Sequence, residues 1–129
     1  MLPIWIILAA LDGITLVIIG AAAGHGVIED PALVGLFELA ADYQAWHGLA
    51  LLAIGFGGGT TGLSLRLINL AGGAFLLGTV LFSGSLYLHA LTGAAPIPVL
   101  TPLGGGTLIA GWLVLAVAGA TVIGRRGVS

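Results

Sequence analysis

Four apolar runs, at about residues 2–24, 38–57, 66–91 and 104–124, decide what this chain can become. Each is close to the length of about 20 residues needed to cross a hydrocarbon layer of about 30 Å. With 129 residues in all, the connections between them are short and leave no room for a soluble domain. Only 6% of the residues are charged, against roughly a quarter in soluble domains. The mean hydropathy is +1.22. The expected architecture is therefore an all-α membrane protein, a four-transmembrane-helix bundle occupying residues 1–129 as one domain. Its surroundings would be the lipid bilayer and other membrane protein subunits or a second copy of itself. A net charge of −2 with three basic residues offers no cationic surface to nucleic acid. The absence of cysteine excludes disulfides, thiolate nucleophiles and cysteine-ligated clusters. Any metal would have to use His, Asp or Glu, and no cofactor is implied.

The first run carries Asp12 near its centre. A central Asp costs about 2.5 to 3.5 kcal/mol on insertion scales, while each Leu, Ile or Val returns about 0.3 to 0.6. Insertion remains favourable if the carboxyl faces the bundle, near Thr15 or a neighbouring helix. Gly20 and Gly24 form a small-xxx-small pair suited to close helix approach. Ala21-Ala22-Ala23 imitates a cleavage site. However, no basic residue precedes Ile4 and Asp12 interrupts the apolar core, so the segment is expected to be retained. The connection His25 to Phe37 contains Asp30, an N-cap candidate, followed by Pro31 at a first helical position. Gly35 leaves open whether a short interfacial helix or a continuous one follows.

The densest polar stretch, Glu38 to Gly48, leads into the second run. Spaced four apart, Glu38 and Asp42 share one helical face, and Tyr43 and His47 share another. Gln44 and Trp46 lie among them. Gly55 to Thr61 reads as a flexible turn. The third run contains Asn69 and Thr79 as isolated polar residues. It ends in a second polar patch where Ser83 and Tyr87, and Ser85 and His89, pair at helical spacing. A proline-rich lid from Ala94 to Leu103 follows, with Thr101-Pro102 expected as cap and first residue of the fourth helix.

With four spans, Arg66, Arg125 and Arg126 fall on the side of the two termini, which the positive-inside rule places in the cytoplasm. That threading gathers His25, Glu29, Asp30, Glu38, Asp42, Tyr43, His47, Tyr87, His89 and Thr101 at the outer face. His25, His47 and His89 with a carboxylate could hold zinc or copper, although no two of them show the short spacing of a helix-borne pair. Haem held by paired histidines is an adjacent possibility. Asp12 with Thr15 and Thr79 resembles half of a cation path, but the inner halves of the helices offer almost nothing polar to complete it. Ser83, His89 and Asp42 can be grouped as a hydrolytic set, yet no nucleophile elbow accompanies them, so no catalytic residue is assigned. In the simplest reading Glu38, Asp42, Tyr43, Ser83, Ser85 and Tyr87 hydrogen-bond across helices and fix their register.

Four ordered motifs carry a resemblance. They are Gly24-His25-Gly26-Val27; Phe37-Glu38 followed by Tyr43-Gln44-Ala45-Trp46-His47; Phe82-Ser83-Gly84-Ser85-Leu86-Tyr87-Leu88; and Thr101-Pro102-Leu103-Gly104-Gly105 followed by Gly111-Trp112. From about Leu8 to about Ala118 the chain resembles the domain of unknown function 423 family of small bacterial membrane proteins, whose animal relative is called transmembrane protein 256. The resemblance implies a four-helix protein of the bacterial inner membrane and supplies no catalytic residues. Asp12 and His89 depart from the family pattern. The expected role is a non-catalytic accessory, assembly or stabilising subunit of a membrane complex, such as a respiratory or photosynthetic one, or a self-associating bundle. The rival is a small transporter or metal-handling protein using the outer His and carboxylate cluster.

Overall fold

The computed structural model describes residues 2–59 and 62–126, with side chains described as far as Ile123. Four helices follow one another: α1 Leu2–Gly24, α2 Pro31–Gly57, α3 Leu65–Thr92 and α4 Leu100–Arg126. No strand occurs among the described residues. In hydrocarbon a backbone cannot hand its polar groups to water, so the helix, which satisfies them internally, is the available form for runs this apolar. Three of the helices are long and apolar enough to cross a membrane: α1, α3, and α4 over Leu100–Ile123. The fourth, α2, is as long as they are but carries the polar stretch.

Local signals set the helix ends. Asp30 caps α2, its carboxylate accepting from Ala32 N at 2.8 Å, and Pro31 takes the first position, where a missing N–H costs nothing. From there α2 runs unbroken through Gly35, so no separate interfacial helix forms. Helix α3 ends at Gly93, whose φ of 72° is left-handed and whose N–H donates to His89 O at 2.9 Å. The fourth helix corrects an expectation, because it starts at Leu100 rather than after Thr101. Leu103 N already donates to Val99 O at 3.1 Å, so Thr101 and Pro102 lie inside the first turn. There Pro102 remains harmless, because first-turn N–H groups have no helical partner anyway. The Thr101 hydroxyl is thereby freed from capping and bonds Ser85 Oγ at 2.7 Å, across to α3.

Helix α1 lies against α2 and α3, while α4 lies against α3 and reaches α2 through Trp112. Small residues set these approaches. A Cβ on Gly55 would stand 3.1 Å from Ile6 N, and one on Gly72 would stand 2.8 Å from the Trp5 indole. A Cβ on Gly78 would meet Leu108 N at 3.0 Å, and one on Gly104 would run into the Phe82 backbone. On α4, Gly104, Gly111 and Ala118 recur every seventh residue and are all buried, the repeat of a left-handed helix pair. The expected close approach at Gly20 and Gly24 does not occur: nothing lies within 4 Å of where their Cβ atoms would be. Gly20 and Gly24 are exposed while Ile19 and Ala23 pack inward, so the small pair lies on the outward face of α1.

Two apolar clusters result. One gathers Trp5, Leu51, Ile68, Phe75 and Leu108 near the end holding Leu2 and Leu65. The other gathers Phe37, Ala40, Leu86, Tyr87 and Ala90 near the opposite end, with Ile19 and Ala23 of α1 packed on it. Of the basic residues behind the orientation argument, Arg66 is exposed at the start of α3. The side chains of Arg125 and Arg126, and residues Thr60 and Thr61 of the expected turn, lie outside the described residues.

The contrast between glycines is testable. Gly104→Ala, which sets a Cβ against backbone that cannot rotate away, should lower unfolding free energy in detergent by about 1 to 3 kcal/mol. Gly20→Ala should leave it unchanged. Equal effects in a denaturation series would contradict the packing described.

Candidate functional site

Between the two apolar clusters lies a polar layer centred on Gln44. The side chain of Gln44 is buried and uses both ends of its amide. Its Nε2 donates to Thr15 Oγ1 at 2.9 Å and to the main-chain oxygen of Asp12 at 3.1 Å. Its Oε1 accepts from Tyr87 OH at 2.8 Å. Thr15 in turn donates to Asp12 O at 2.8 Å. One amide on α2 thus ties α1 to α3. The position follows from helical spacing, since Ala40, Gln44, His47, Gly48 and Leu51 occupy the inward stripe of α2 and all are buried.

Asp12 reaches this layer from α1. Its carboxyl lies against Gly48, where any Cβ would collide with Oδ2. Glycine at 48 is therefore what lets a mid-helix carboxyl fit between α1 and α2. Of the two placements expected for the carboxyl, near Thr15 or a neighbouring helix, the contact with Gly48 is the second, and Thr15 bonds the Asp12 main-chain oxygen instead. Asp12 and Thr15 also line a cavity of about 230 Å³ together with Gln44, Thr79, Ser83 and Tyr87. The hydroxyls of Thr79 and Ser83 are buried with no hydrogen-bond partner among the described residues.

The histidines behave differently from the metal hypothesis. His47 is buried, and Trp112 Nε1 donates to its Nε2 at 3.1 Å. An indole N–H can only donate, so Nε2 accepts and Nδ1 carries the hydrogen, donating to Tyr43 O at 2.7 Å. Both ring nitrogens are occupied, and the ring packs 5.5 Å from Phe75 and 6.0 Å from Trp112. His25 sits exposed in the turn after α1, and His89 is half-buried in the last turn of α3. Among the described residues no group of three or more His, Cys, Asp or Glu is placed to hold a metal. The convergence of His25, His47 and His89 expected from topology therefore does not form. His47 lies sixteen residues into α2, about 24 Å along the axis and beside Phe75 and Trp112, whereas His25 and His89 lie at helix ends.

The remaining candidates divide by face. Ser85 bonds Thr101 and also donates to Phe82 O at 2.9 Å. The ring of Tyr87 tilts against Phe37 at 5.0 Å, and that of Tyr43 against Phe82 at 4.4 Å. Ser83 does not pair with His89, and Asp42 is exposed, so the hydrolytic grouping is not assembled. Glu38 and Asp42 both stand on the outside of α2, and among the described residues neither they nor the hydroxyls of Tyr43 and Ser83 make a cross-helix hydrogen bond, contrary to the register-fixing role expected of them. Other cross-helix bonds were not foreseeable from spacing, notably Trp5 Nε1 donating to Asn69 Oδ1 at 2.8 Å. Their only advance signal was that both residues fall near the same end of the bundle once the chain is threaded.

Removing the hub should expose its coupling. Gln44→Leu leaves Tyr87 OH and the Thr15 hydroxyl short of a partner and should cost about 1 to 3 kcal/mol. Combined with Tyr87→Phe, the loss should be clearly less than the sum of the two single changes, because both remove the same bond. Additive losses in a double-mutant cycle would refute a shared network.

Comparison with known proteins agrees with the sequence resemblance. The family model described as "Protein of unknown function (DUF423)" matches residues 19–105. A UPF0382 membrane protein of Staphylococcus epidermidis is 42% identical over 120 residues, covering 91% of this chain and 95% of that protein. A UPF0382 membrane protein of Staphylococcus saprophyticus is 41% identical over 118 residues, covering 90% and 96%. One from Staphylococcus aureus is 41% identical over 120 residues, covering 91% and 95%. No solved structure matches. Matched along nearly its whole length by small membrane proteins, and over most of it by the family model, the chain belongs to the DUF423 family.

Proposed function

We propose that this protein is a non-catalytic, multi-pass protein of the bacterial cell membrane, with all four helices spanning and both termini cytoplasmic. It acts by packing against other membrane proteins, as an accessory or stabilising subunit or with further copies of itself. The observation that carries this reading is the outward face of α2, where Glu38, Asp42, Trp46 and Leu49 are all exposed, Trp46 at 69%. The 27 residues of α2 extend about 40 Å at 1.5 Å each, against a hydrocarbon core of about 30 Å. The first turns can therefore project beyond the core, which suits Glu38. Asp42 lies a further turn in, where a lipid-facing carboxylate is unfavourable and a partner that covers it is favourable.

Spanning by α2 is supported by where its other polar groups lie. Gln44 and His47, which lower its apolar character, point inward and are hydrogen-bonded. A polar side chain satisfied within the bundle need not oppose insertion. A non-catalytic role agrees with the same bookkeeping: His47, Ser85 and Tyr87 are engaged in holding helices together.

Purification from the native membrane in mild detergent, followed by native mass spectrometry, should find the chain in an assembly of fixed stoichiometry. Asp42→Asn and Glu38→Gln should deplete that assembly while leaving the melting temperature of the isolated bundle unchanged. A chain that runs as a free monomer from its own membrane would overturn the reading. Proteoliposomes should pass protons and small cations no faster than empty vesicles, and a flux abolished by Asp12→Asn would favour the transporter alternative instead.

A further inference from the structure

The connection between α3 and α4, Gly93 to Val99, is apolar in sequence and exposed along its whole length. Ile97 and Val99 are each more than half exposed, and so are Leu91 and Leu103 on the helix turns that flank them. The hairpin from residue 67 to residue 124 holds no Asp, Glu, Lys or Arg at all. The α1–α2 connection lies at the same end of the bundle and is opposite in character, exposing His25, Glu29 and Asp30. Turns are ordinarily polar because they run over a surface that meets water. Two such unlike turns at one end of one bundle point to two different surroundings.

Side chains and backbone set opposite limits on the surroundings of the α3–α4 turn. Exposed Ile97 and Val99 are unfavourable in water. The backbone is unfavourable in hydrocarbon, where an irregular loop facing lipid cannot satisfy its polar groups. Here that demand is reduced, since Pro96 and Pro98 have no N–H. Gly93 N donates to His89 O at 2.9 Å, and Ile97 O and Val99 O accept from Leu100 N and Leu103 N at 3.1 Å each. The N–H groups of Ala94 and Ala95 still lack a partner among the described residues, so some water or headgroup contact remains necessary. A layer that is partly apolar and partly wet meets both demands. Distance along the helix leads to the same layer. From Arg66, exposed at the start of α3, to Gly93 is about 40 Å at 1.5 Å per residue. The hydrocarbon core is about 30 Å thick, and the bilayer with its headgroup regions about 40 to 45 Å. With Arg66 among the headgroups on one side, the turn arrives among those on the other.

We propose that the α3–α4 connection is an anchor to the lipid surface, with Ile97 and Val99 seated at the boundary between headgroups and acyl chains. The anchor rests on the spanning of the membrane by α3 and α4 and goes beyond the packing role of α2. Lipid is favoured over a protein cover by the chemistry of the turn. Gly93 to Val99 offer no side-chain donor, acceptor or charge with which a partner could fix its register, as Gln44 does inside the bundle. A lipid layer requires no register. Seated in this way, the turn resists displacement of the hairpin along the membrane normal, a motion that no charged residue between 67 and 124 opposes.

The chain has no cysteine, so a single introduced one carries a spin label to a chosen position. For the purified protein in nanodiscs, the label's collisions with oxygen, which concentrates in lipid, are compared with its collisions with a water-soluble nickel chelate. At Ile97→Cys and Val99→Cys the oxygen-to-chelate ratio should be several times that at Glu29→Cys in the other connection. It should stay below the ratio at Leu77→Cys, on the exposed side of mid-α3. All four changes are at exposed side chains, so each variant should melt at the temperature of the parent. A ratio at 97 and 99 equal to that at 29, with 77 still in lipid, would place the turn in water and overturn the proposal. Low collision rates with both reagents would place it under protein and overturn it as well. A ratio at 77 as low as that at 29 would show instead that α3 does not span, which removes the reading beneath the proposal and the proposal with it.

Discussion

The amide of Gln44 is the interaction on which the arrangement of three helices depends. Between helices surrounded by lipid, apolar contact distinguishes poorly between one rotation and another, because hydrocarbon tails are as apolar as Leu and Ile. A primary amide distinguishes well. Its oxygen must accept and its nitrogen must donate, and here each finds a different helix, Tyr87 on α3 and Thr15 with Asp12 O on α1. Turning α1 or α3 about its own axis would break one of these bonds inside a medium with no water to replace it. The same logic recurs at the two flanks, where Trp5 with Asn69 joins α1 to α3 and Trp112 with His47 joins α4 to α2.

Glycine makes these short bonds reachable. Hydrogen bonds of about 3 Å between side chains on different helices require the backbones to come close. Several of the places where a Cβ would obstruct lie next to the bonded pairs. Gly48 follows His47 and abuts Asp12, while Gly72 lies one turn beyond Asn69 and abuts Trp5. Gly104 abuts Phe82 one turn after Thr101, whose partner is Ser85. Small residues and polar residues thus act as one device, the first setting the distance and the second the rotation.

Local features of this device could be read from residue order, and non-local ones could not. The Asp30 and Pro31 helix start depends on adjacent residues, and it forms as spacing implied. That Asp12 turns inward follows from the cost of turning outward. By contrast, Gly20 and Gly24 have the same spacing as productive pairs and remain uncovered, because a motif describes one helix face and says nothing of whether a second helix lies there. Thr101 misled for the opposite reason. Its capping chemistry was sound, but Ser85 on the neighbouring helix offered its hydroxyl another partner. The histidines were expected at one depth, but His47 lies well inside α2, where Trp112 captures it from a direction that spacing on α2 could not indicate.

Helix α2 shows why hydropathy alone undervalues such a segment. Summed over residues, Asp42, Gln44 and His47 count equally against insertion. In the folded bundle they are not equal, since Gln44 and His47 carry their hydrogen-bond partners with them. Asp42 does not. The unfavourable part of the polar stretch is thereby confined to the outward carboxylates near one end of the helix. An apolar Leu49 and Phe56 follow on the exposed side, with the exposed Trp46 between them and Asp42. A helix built this way is held by its inner face and leaves its outer face chemically distinct from those of α1 and α4, whose exposed residues are almost entirely aliphatic. The difference between faces makes α2, rather than the longer apolar surfaces, the side on which a second protein could be recognised and not merely accommodated.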